Sequence, residues 1–420
     1  MATACGAPPT GSVRATVPEL VASSLTVLST LLVTKRCAPS GVSASPWWPL
    51  LWPTSTEALA SLYTDDGGLQ VVTTGARVMQ PLRPGLSVEL KALADVITVK
   101  QTASAHAPGE DGGHDHGGDL GDVDAVTSAS SIGVSGASTH ETRVEGAAGL
   151  LWSPRLPRLP VMVGVSLQGS GESDYTSLSG RVHGTVELFE RNLALSGFVG
   201  GGRDAVRPDT APPGEEGQWP AQHGRVSAGL SMSQLLTPRL IASAGLAGAL
   251  QSGTLSSPYR RALVLSTLFS ERLPQERLRG TGYLGLAWSP RPGMGLHLRQ
   301  GLYADSWGVR AIVPEVALAQ QALKDGLVTL SYRTYLQSGA RFYAPRYEAL
   351  SPVRSSDARL GTVVEHRPGV RLAWTLWGHP EASEFLRLHA GYALSLLRHV
   401  EAGNHLTHAH VVSVGLGANL

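Results

Sequence analysis

The residue types best suited to chemistry are concentrated in one segment, residues 106–124. The candidate metal ligands in it are His106, Asp111, His114, Asp115, His116 and Asp119. Imidazoles combined with carboxylates suit Zn²⁺, Ni²⁺ or Cu²⁺, whereas carboxylates alone suit Ca²⁺. The histidines lack the i, i+4 spacing of ligands on one helix face, and the flanking glycines predict a loop. The segment is therefore either a weak site for a divalent metal or a solvated polar surface loop.

A second group of histidines, His399, His405, His408 and His410, flanks the last predicted loop. It would approach the first group if the first and last strands of one sheet paired. Covalent catalysis has little support, because the sequence contains no Gly-x-Ser-x-Gly elbow and no Gly-rich phosphate loop ahead of a helix. We therefore expect a protein that is not an enzyme and that holds no cofactor beyond a weakly bound metal.

The elements that must position these residues are strands, because apolar side chains recur at every second position. In the last strand Val412, Val414, Leu416 and Ala418 alternate with small or polar residues. Successive side chains of a strand point to opposite faces, so one face is apolar and the other polar. The pattern continues through many strands of roughly ten to fourteen residues, which predicts a transmembrane antiparallel β-barrel.

Charged residues fall almost entirely on the polar face of these strands. A charge that faces lipid at mid-depth costs about 2–4 kcal/mol for Arg or Lys, so Arg333 and Arg387 are expected to face the lumen. Short connections such as Arg83-Pro84-Gly85 alternate with long ones near 101–138, 207–222, 252–277 and 341–357. The count predicts fourteen or sixteen strands, with residues 259–277 as its weakest part because arginines crowd that segment.

Composition agrees with a wall that touches lipid. Only 16% of the 420 residues are charged, 42% are hydrophobic, and 49 are glycine, whereas soluble domains carry about 25% charge. The net charge of +1 gives no bulk electrostatic reason to bind nucleic acid. No apolar run is long enough for a transmembrane helix.

The chain divides at residue 66 into an N-terminal segment, 1–66, and a barrel, 67–420. The first segment contains a signal-like run from Leu20 to Val33, both cysteines (Cys5 and Cys37) and a Pro/Trp-rich cluster around Trp48. The run is an imperfect signal peptide or part of a disordered leader. We expect the segment to be disordered or loosely docked at the barrel.

Several motifs, in order, resemble an uncharacterised bacterial family that is catalogued only as a domain of unknown function. The motifs are residues 123–130 (VDAVTSAS), 172–175 (ESDY), 257–260 (SPYR), 271–274 (ERLP), 305–308 (DSWG), 332–343 (YRTYLQSGARFY) and 355–360 (SSDARL). They span roughly residues 63–361, and each is weak alone. Tyr303 lacks the arginine–tyrosine pair that precedes it in the family pattern, and the His-rich insert at 105–119 is outside that pattern.

The resemblance implies an outer-membrane β-barrel of Gram-negative bacteria, in contact with outer-membrane lipid. Members are encoded near small lipoproteins, thioredoxin-like proteins and flavin-transferring enzymes. This implies periplasmic or lipoprotein partners and a link to an envelope metal or redox system. The leading expectation is a porin-like channel or transport-related barrel. The alternatives are a plugged structural barrel that anchors periplasmic or surface partners and, less favoured, an outer-membrane hydrolase.

Many motif residues lie where strands run into long loops. Arg, Asp and Tyr at one rim are expected to form a hydrogen-bonded network that holds loops over the mouth, or to line a ligand site. The predicted lumen and rim residues are Asp174, Tyr175, Tyr259, Arg260, Arg299, Asp305, Trp307, Arg333, Tyr335, Gln337, Tyr343, Asp357 and Arg359. Glu89 and Lys91 are expected to line the lumen as well.

Overall fold

The protein is a closed antiparallel β-barrel of sixteen strands. The computed structural model describes residues 55–99, 139–154, 159–208, 218–323, 325–378 and 385–419. The first and last strands close the sheet through a continuous register from Ser55↔Asn419 to Asp65↔Ala409. The predicted all-β transmembrane barrel is confirmed, and the strand count is the larger of the two predicted numbers. No helix in these residues is long and apolar enough to cross a membrane.

The wall strands follow one another around the barrel in chain order, interrupted once by a small hairpin. They are β1 (Ser55–Asp65), β2 (Leu69–Arg83), β3 (Leu86–Val99), β4 (Thr139–Trp152), β5 (Val161–Gly171), β6 (Tyr175–Leu188), β7 (Leu193–Val206), β8 (Ala221–Thr237), β9 (Leu240–Gly253), β12 (Glu276–Trp288), β13 (Met294–Asp305), β14 (Arg310–Leu323), β15 (Gly326–Gln337), β16 (Val363–Gly378), β17 (Phe385–His399) and β18 (His405–Asn419). The hairpin, β10 (Arg261–Val264) with β11 (Thr267–Ser270), lies outside the wall.

The outer surface is apolar at alternate positions of each strand. Leu230 and Leu246, at the middle of β8 and β9, are 75% and 74% exposed, and they are cross-strand partners. Four tryptophans lie on the outer surface near the end of the barrel where β1 begins and β18 ends: Trp152, Trp288, Trp374 and Trp377. Aromatic girdles of this kind mark the interface of a membrane barrel, so the wall between them and the opposite rim faces lipid.

The two ends of the barrel differ in their connections. At the end where β1 begins and β18 ends, turns such as 189–192 and 238–239 are short, and Gly85 turns the chain at φ +82° where a Cβ would lie 2.5 Å from Ser153 O. The connections 207–220, 254–275 and 338–362 all leave the opposite end. We refer to the two as the terminal side and the loop side. Outer-membrane barrels place short turns in the periplasm and long loops outside the cell.

The structure differs from the sequence-based boundaries at two places. The barrel begins at Ser55, ahead of the predicted boundary at 67, because β1 completes the wall. Residues 259–277 form the β10–β11 hairpin outside the wall, and only the last two of them belong to a wall strand, β12. This position outside the wall explains why arginines crowd the segment. The signal-like run, the cysteines and the Pro/Trp-rich cluster lie outside the described residues.

The lipid-facing surface yields the first prediction. Leu246→Arg should lower the free energy of unfolding by about 2–4 kcal/mol, because it places a charge at the middle of the lipid-facing wall. Unfolding can be followed in lipid vesicles by the mobility difference between heated and unheated protein on a denaturing gel. Leu246→Ala, which stays apolar at the same position, is the control. Equal stability of the arginine variant and the control would mean that this face does not contact lipid.

Candidate functional site at the loop-side mouth

Asp305, at the end of β13, is the hydrogen-bonding centre of the loop-side rim. Its side chain has no exposed area. Its Oδ1 accepts from the backbone N–H groups of Trp307 and Val309, both at 3.0 Å. Its Oδ2 accepts from Arg277 Nε at 2.9 Å and from the Tyr303 hydroxyl at 2.8 Å. A buried carboxylate is stable only when it is paired in this way, so Asp305 fixes the turn that follows it.

The turn fixed by Asp305 presents Trp307 to the long loops. Trp307 packs with Val309, Ala340 and Leu360 in a buried cluster at the rim. The indole donates from Nε1 to Glu276 O at 2.9 Å, and the Arg277 guanidinium lies 4.0 Å from the ring centroid. This small core connects the β13–β14 turn with the loop between β15 and β16. The loops at this end are therefore folded elements with an apolar core of their own.

Two loops, 254–275 and 338–362, interlock over this cluster, and we call them the loop cap. Glu271, 3% exposed, accepts from Ser355 Oγ at 2.5 Å and from Ser257 N at 3.2 Å. Tyr347 exchanges backbone hydrogen bonds with Leu263 and Leu265 at 2.8 and 2.7 Å. Burial raises the pKa of the Tyr347 phenol, whose hydroxyl also accepts from Ser355 N. The two loops thus behave as one unit.

Two adjacent residues of the cap bind two carboxylates that come from different connections. The Tyr259 hydroxyl donates to Asp174 Oδ2, in the β5–β6 turn. Arg260 Nη1 lies 2.7 Å from Asp357 Oδ2, in the β15–β16 loop. We call Asp174, Tyr259, Arg260 and Asp357 the mouth clasp. Asp174 and Asp357 are both buried, so both contacts are shielded from water.

The mouth clasp joins opposite sides of the barrel. Between the β5–β6 turn and the β15–β16 loop there are eight strands in either direction around the sixteen-stranded ring. Tyr259 and Arg260 belong to the β9–β12 connection, which lies between these two points on one side of the ring. The cap is therefore attached at both ends of a diameter of the loop-side mouth.

The other predicted rim residues lie beside the clasp. Arg359 binds Asp357 through Nη2 at 3.0 Å and Nε at 3.1 Å, at the start of a short 3-10 helix, Ala358–Leu360. Gln337 donates to Arg359 O and Gly361 O and accepts from the Tyr335 hydroxyl at 2.5 Å. Tyr343 packs against the rim cluster, and Tyr175 begins β6 at the same rim.

Arg299 and Arg333 lie deeper, on the lumen wall. Arg299 packs on the Tyr283 ring at 4.3 Å, and Arg333 lies 5.9 Å from the Tyr335 ring centroid. Residues 106–119, with all the predicted metal ligands, lie outside the described residues. The second histidine group is dispersed, because His408 pairs with Asp66 at 3.1 Å while His410 bonds the Tyr392 hydroxyl on the outer surface.

The rim on the β3–β6 side is acidic, which the sequence analysis did not single out. Carboxylate oxygens of Glu141, Glu172 and Asp174 lie within 4.8 Å of one another. Arg143 lies 3.7 Å from Glu172 and 2.6 Å from Glu145, so it offsets part of the negative charge. Ca²⁺ takes six to eight oxygens, and three carboxylates supply a fraction of that shell. The alternation of side chains along β4 could have revealed this acidic rim in the sequence, since it places residues 141, 143 and 145 on one face.

A closed sheet with an apolar exterior and a charged interior defines the class: a sixteen-stranded transmembrane β-barrel with a folded loop cap. The chain belongs to the family described as protein of unknown function (DUF3570), whose model matches residues 20–388. This is consistent with the family resemblance seen in the sequence. No curated protein matches the chain.

Solved structures with a similar arrangement include a bacterial outer membrane secretin and two bacterial receptors. A bacterial polysaccharide outer membrane secretin is 11% identical, with a TM-score of 0.45, over 87% of this chain and 98% of that one. The siderophore receptor PirA from Pseudomonas aeruginosa is 10% identical (TM-score 0.38; 82% and 56% covered). A ferric enterobactin receptor (PfeA) mutant from the same organism is 9% identical, with a TM-score of 0.41, over 81% of this chain and 53% of that one. The chain spans about half the length of the two receptors. At TM-scores below 0.5 these similarities carry no argument about function.

The cap yields the second prediction. Glu271→Gln should open the cap without unfolding the barrel, because an amide has one acceptor oxygen and cannot serve both Ser355 Oγ and Ser257 N. Loss of a hydrogen bond to a buried charged group costs about 1.5–3 kcal/mol, so trypsin should cleave after the exposed Arg346 roughly 10- to 100-fold faster.

Glu348→Gln is the matched control, because Glu348 is an exposed carboxylate in the same loop. It should leave the cleavage rate unchanged. Equal cleavage of wild type and Glu271→Gln would mean that Glu271 does not hold the two loops together.

Proposed function

We propose that this protein is a transport barrel of the bacterial outer membrane, with a permeation path along a charged lumen and a loop cap that obstructs its outer mouth. The observation that carries the proposal is a difference in the exposure of charged side chains between the two halves of the lumen. Toward the terminal side, the inward-facing Lys91 and Glu57 are 50% and 56% exposed. At the loop side, the side chains of Glu172 and Asp305 are 1% and 0% exposed.

The exposed inward side chains indicate a water-accessible vestibule that opens toward the terminal side. A barrel filled by its own side chains would bury Lys91, because packed lumen charges lose their water. The mouth clasp and the cap lie at the opposite end. Permeation would therefore require displacement of the cap, and solute selection would come from charge and width rather than from bond chemistry.

The position of the cap also supports the second candidate, a plugged barrel that anchors partners. A cap attached at both ends of a diameter would block the mouth permanently if it never opened. In that case the exposed cap surface or the terminal side would carry the function through partner binding. Participation in an envelope metal or redox system through periplasmic or lipoprotein partners stays a prediction of the family resemblance.

The two candidates differ in single-channel current, and this gives the third prediction. Refolded wild-type protein in a planar bilayer should conduct in rare or short openings. The Tyr259→Phe/Arg260→Gln variant loses one hydrogen bond and one ion pair of the mouth clasp, so its open probability should rise clearly above that of wild type. Tyr392→Phe, which removes a tyrosine hydroxyl on the lipid-facing surface, is the control and should behave as wild type.

Absence of current in wild type and in the clasp variant, with both correctly folded by gel mobility, would reject the transport proposal. The anchoring candidate would then be favoured. Equal open probabilities in the clasp variant and wild type would show that the clasp does not control the mouth.

A further inference from the structure

Four neighbouring strands present ionisable side chains to the lumen at one continuous register. Arg299 of β13 is the cross-strand partner of Glu315 of β14. Glu315 is in turn the partner of Arg333 of β15, and Arg333 is the partner of Arg367 of β16. All four are partly buried residues on the inner face. We call them the lumen charge row.

The lumen charge row contains a pair of like charges directly opposite each other. Arg333 and Arg367 are neighbours across β15 and β16, and like charges in that relation destabilise a sheet. The nearby carboxylates are Glu315 within the row and Glu365 one step toward the rim, which also accepts from Ser395 Oγ at 2.7 Å. Three guanidinium groups and one carboxylate leave the row with an excess of positive charge.

The excess continues along this wall toward the open vestibule. The inward-facing charged residues of β12–β17 are Arg277, Arg279, Arg299, Arg333, Arg367, Arg371 and Arg387, with Asp305, Glu315 and Glu365. Seven cations against three anions give this wall a formal charge of +4.

The wall formed by β1–β4, which we call the acidic wall in contrast to the basic wall of β12–β17, has the reverse balance. The inward-facing charged residues of β1–β4 are Glu57, Asp65, Glu89, Asp95, Glu141 and Glu145, with Arg77, Lys91 and Arg143. Six anions against three cations give a formal charge of −3. In the ring, β2, β3 and β4 lie eight strands from β12, β13 and β14, so the acidic wall faces this half of the basic wall, whereas β15 and β16 face β5 and β6.

In the vestibule the acidic wall balances its own charges. Arg77 Nε lies 2.5 Å from Glu89 Oε1, Arg77 Nη1 lies 3.5 Å from Glu57 Oε2, and Lys91 Nζ lies 3.7 Å from Glu89 Oε1. Arg371 and Arg387 on the basic wall lie at similar depth. Between strands β1–β4 and β12–β17, the excess charge at this depth is therefore positive and lies on the basic wall.

We propose that the basic wall, centred on Arg333 and Arg367, binds the oxyanion group of a small anionic solute, a carboxylate or a phosphate. An oxyanion between the two guanidinium groups relieves their mutual repulsion and accepts charge-assisted hydrogen bonds from both. The proposal rests on the proposed transport function for its physiological meaning, but the binding itself can be measured without any current.

Binding is tested on the folded protein in detergent micelles by its thermal unfolding midpoint. Citrate and inorganic phosphate, each compared with chloride at equal ionic strength, should raise the midpoint of wild type, because a ligand that binds only the folded state stabilises it. Arg333→Gln/Arg367→Gln should lose this shift. Arg77→Gln/Lys91→Gln, which removes two lumen cations from the acidic wall, should keep it. A shift with one anion alone identifies the oxyanion class.

Selectivity is tested by the reversal potential in a KCl gradient, with the Tyr259→Phe/Arg260→Gln background to provide current. The background channel should prefer chloride, and the Arg333→Gln/Arg367→Gln substitutions should shift it toward potassium more than Arg77→Gln/Lys91→Gln does. Absence of an anion-induced shift in wild type, or equal loss in both pairs of variants, would overturn the proposed site. Anion binding without any current would keep the site and reject transport.

Discussion

Pairing of every backbone polar group within the wall is the constraint on which the rest of this structure depends. Water is absent from the hydrocarbon region, so a sheet that spans it must have no free edge. The pairing of β1 with β18 removes the last edge. Once the ring is closed, strand parity decides which side chains meet lipid and which meet the lumen. The apolar outer surface around Leu246 and the lumen charge row around Arg333 both follow from this alternation.

Buried carboxylates hold the loop cap together, as backbone hydrogen bonds hold the wall together. Asp305 and Glu271 each accept several hydrogen bonds in places closed to water. A charged acceptor in such a place is costly unless every donor stays in position. These two carboxylates therefore hold the loops above the barrel in place, and the apolar cluster around Trp307 packs between the loops.

Much of the fold could be predicted from the sequence, because the alternation in β3, β15 and β17 is a local property that needs no knowledge of neighbours. The first strand was harder to recognise, because Leu59 and Tyr63 are apolar residues on its inward face. The pairing of Tyr259 with Asp174 could not be predicted, since it depends on which connections meet across the mouth. To predict the opposite net charges of the two walls, one would need the order of the strands around the ring as well as the side chains of each strand that face the lumen.

The mouth clasp also carries information about the order of assembly. Its carboxylates, Asp174 and Asp357, belong to connections eight strands apart in either direction around the ring, so the complete clasp requires the strands between them. Closing such long loops is entropically costly until the intervening strands are in place. The complete clasp is therefore expected only once β6 to β15 are in place, which makes it a marker of late assembly.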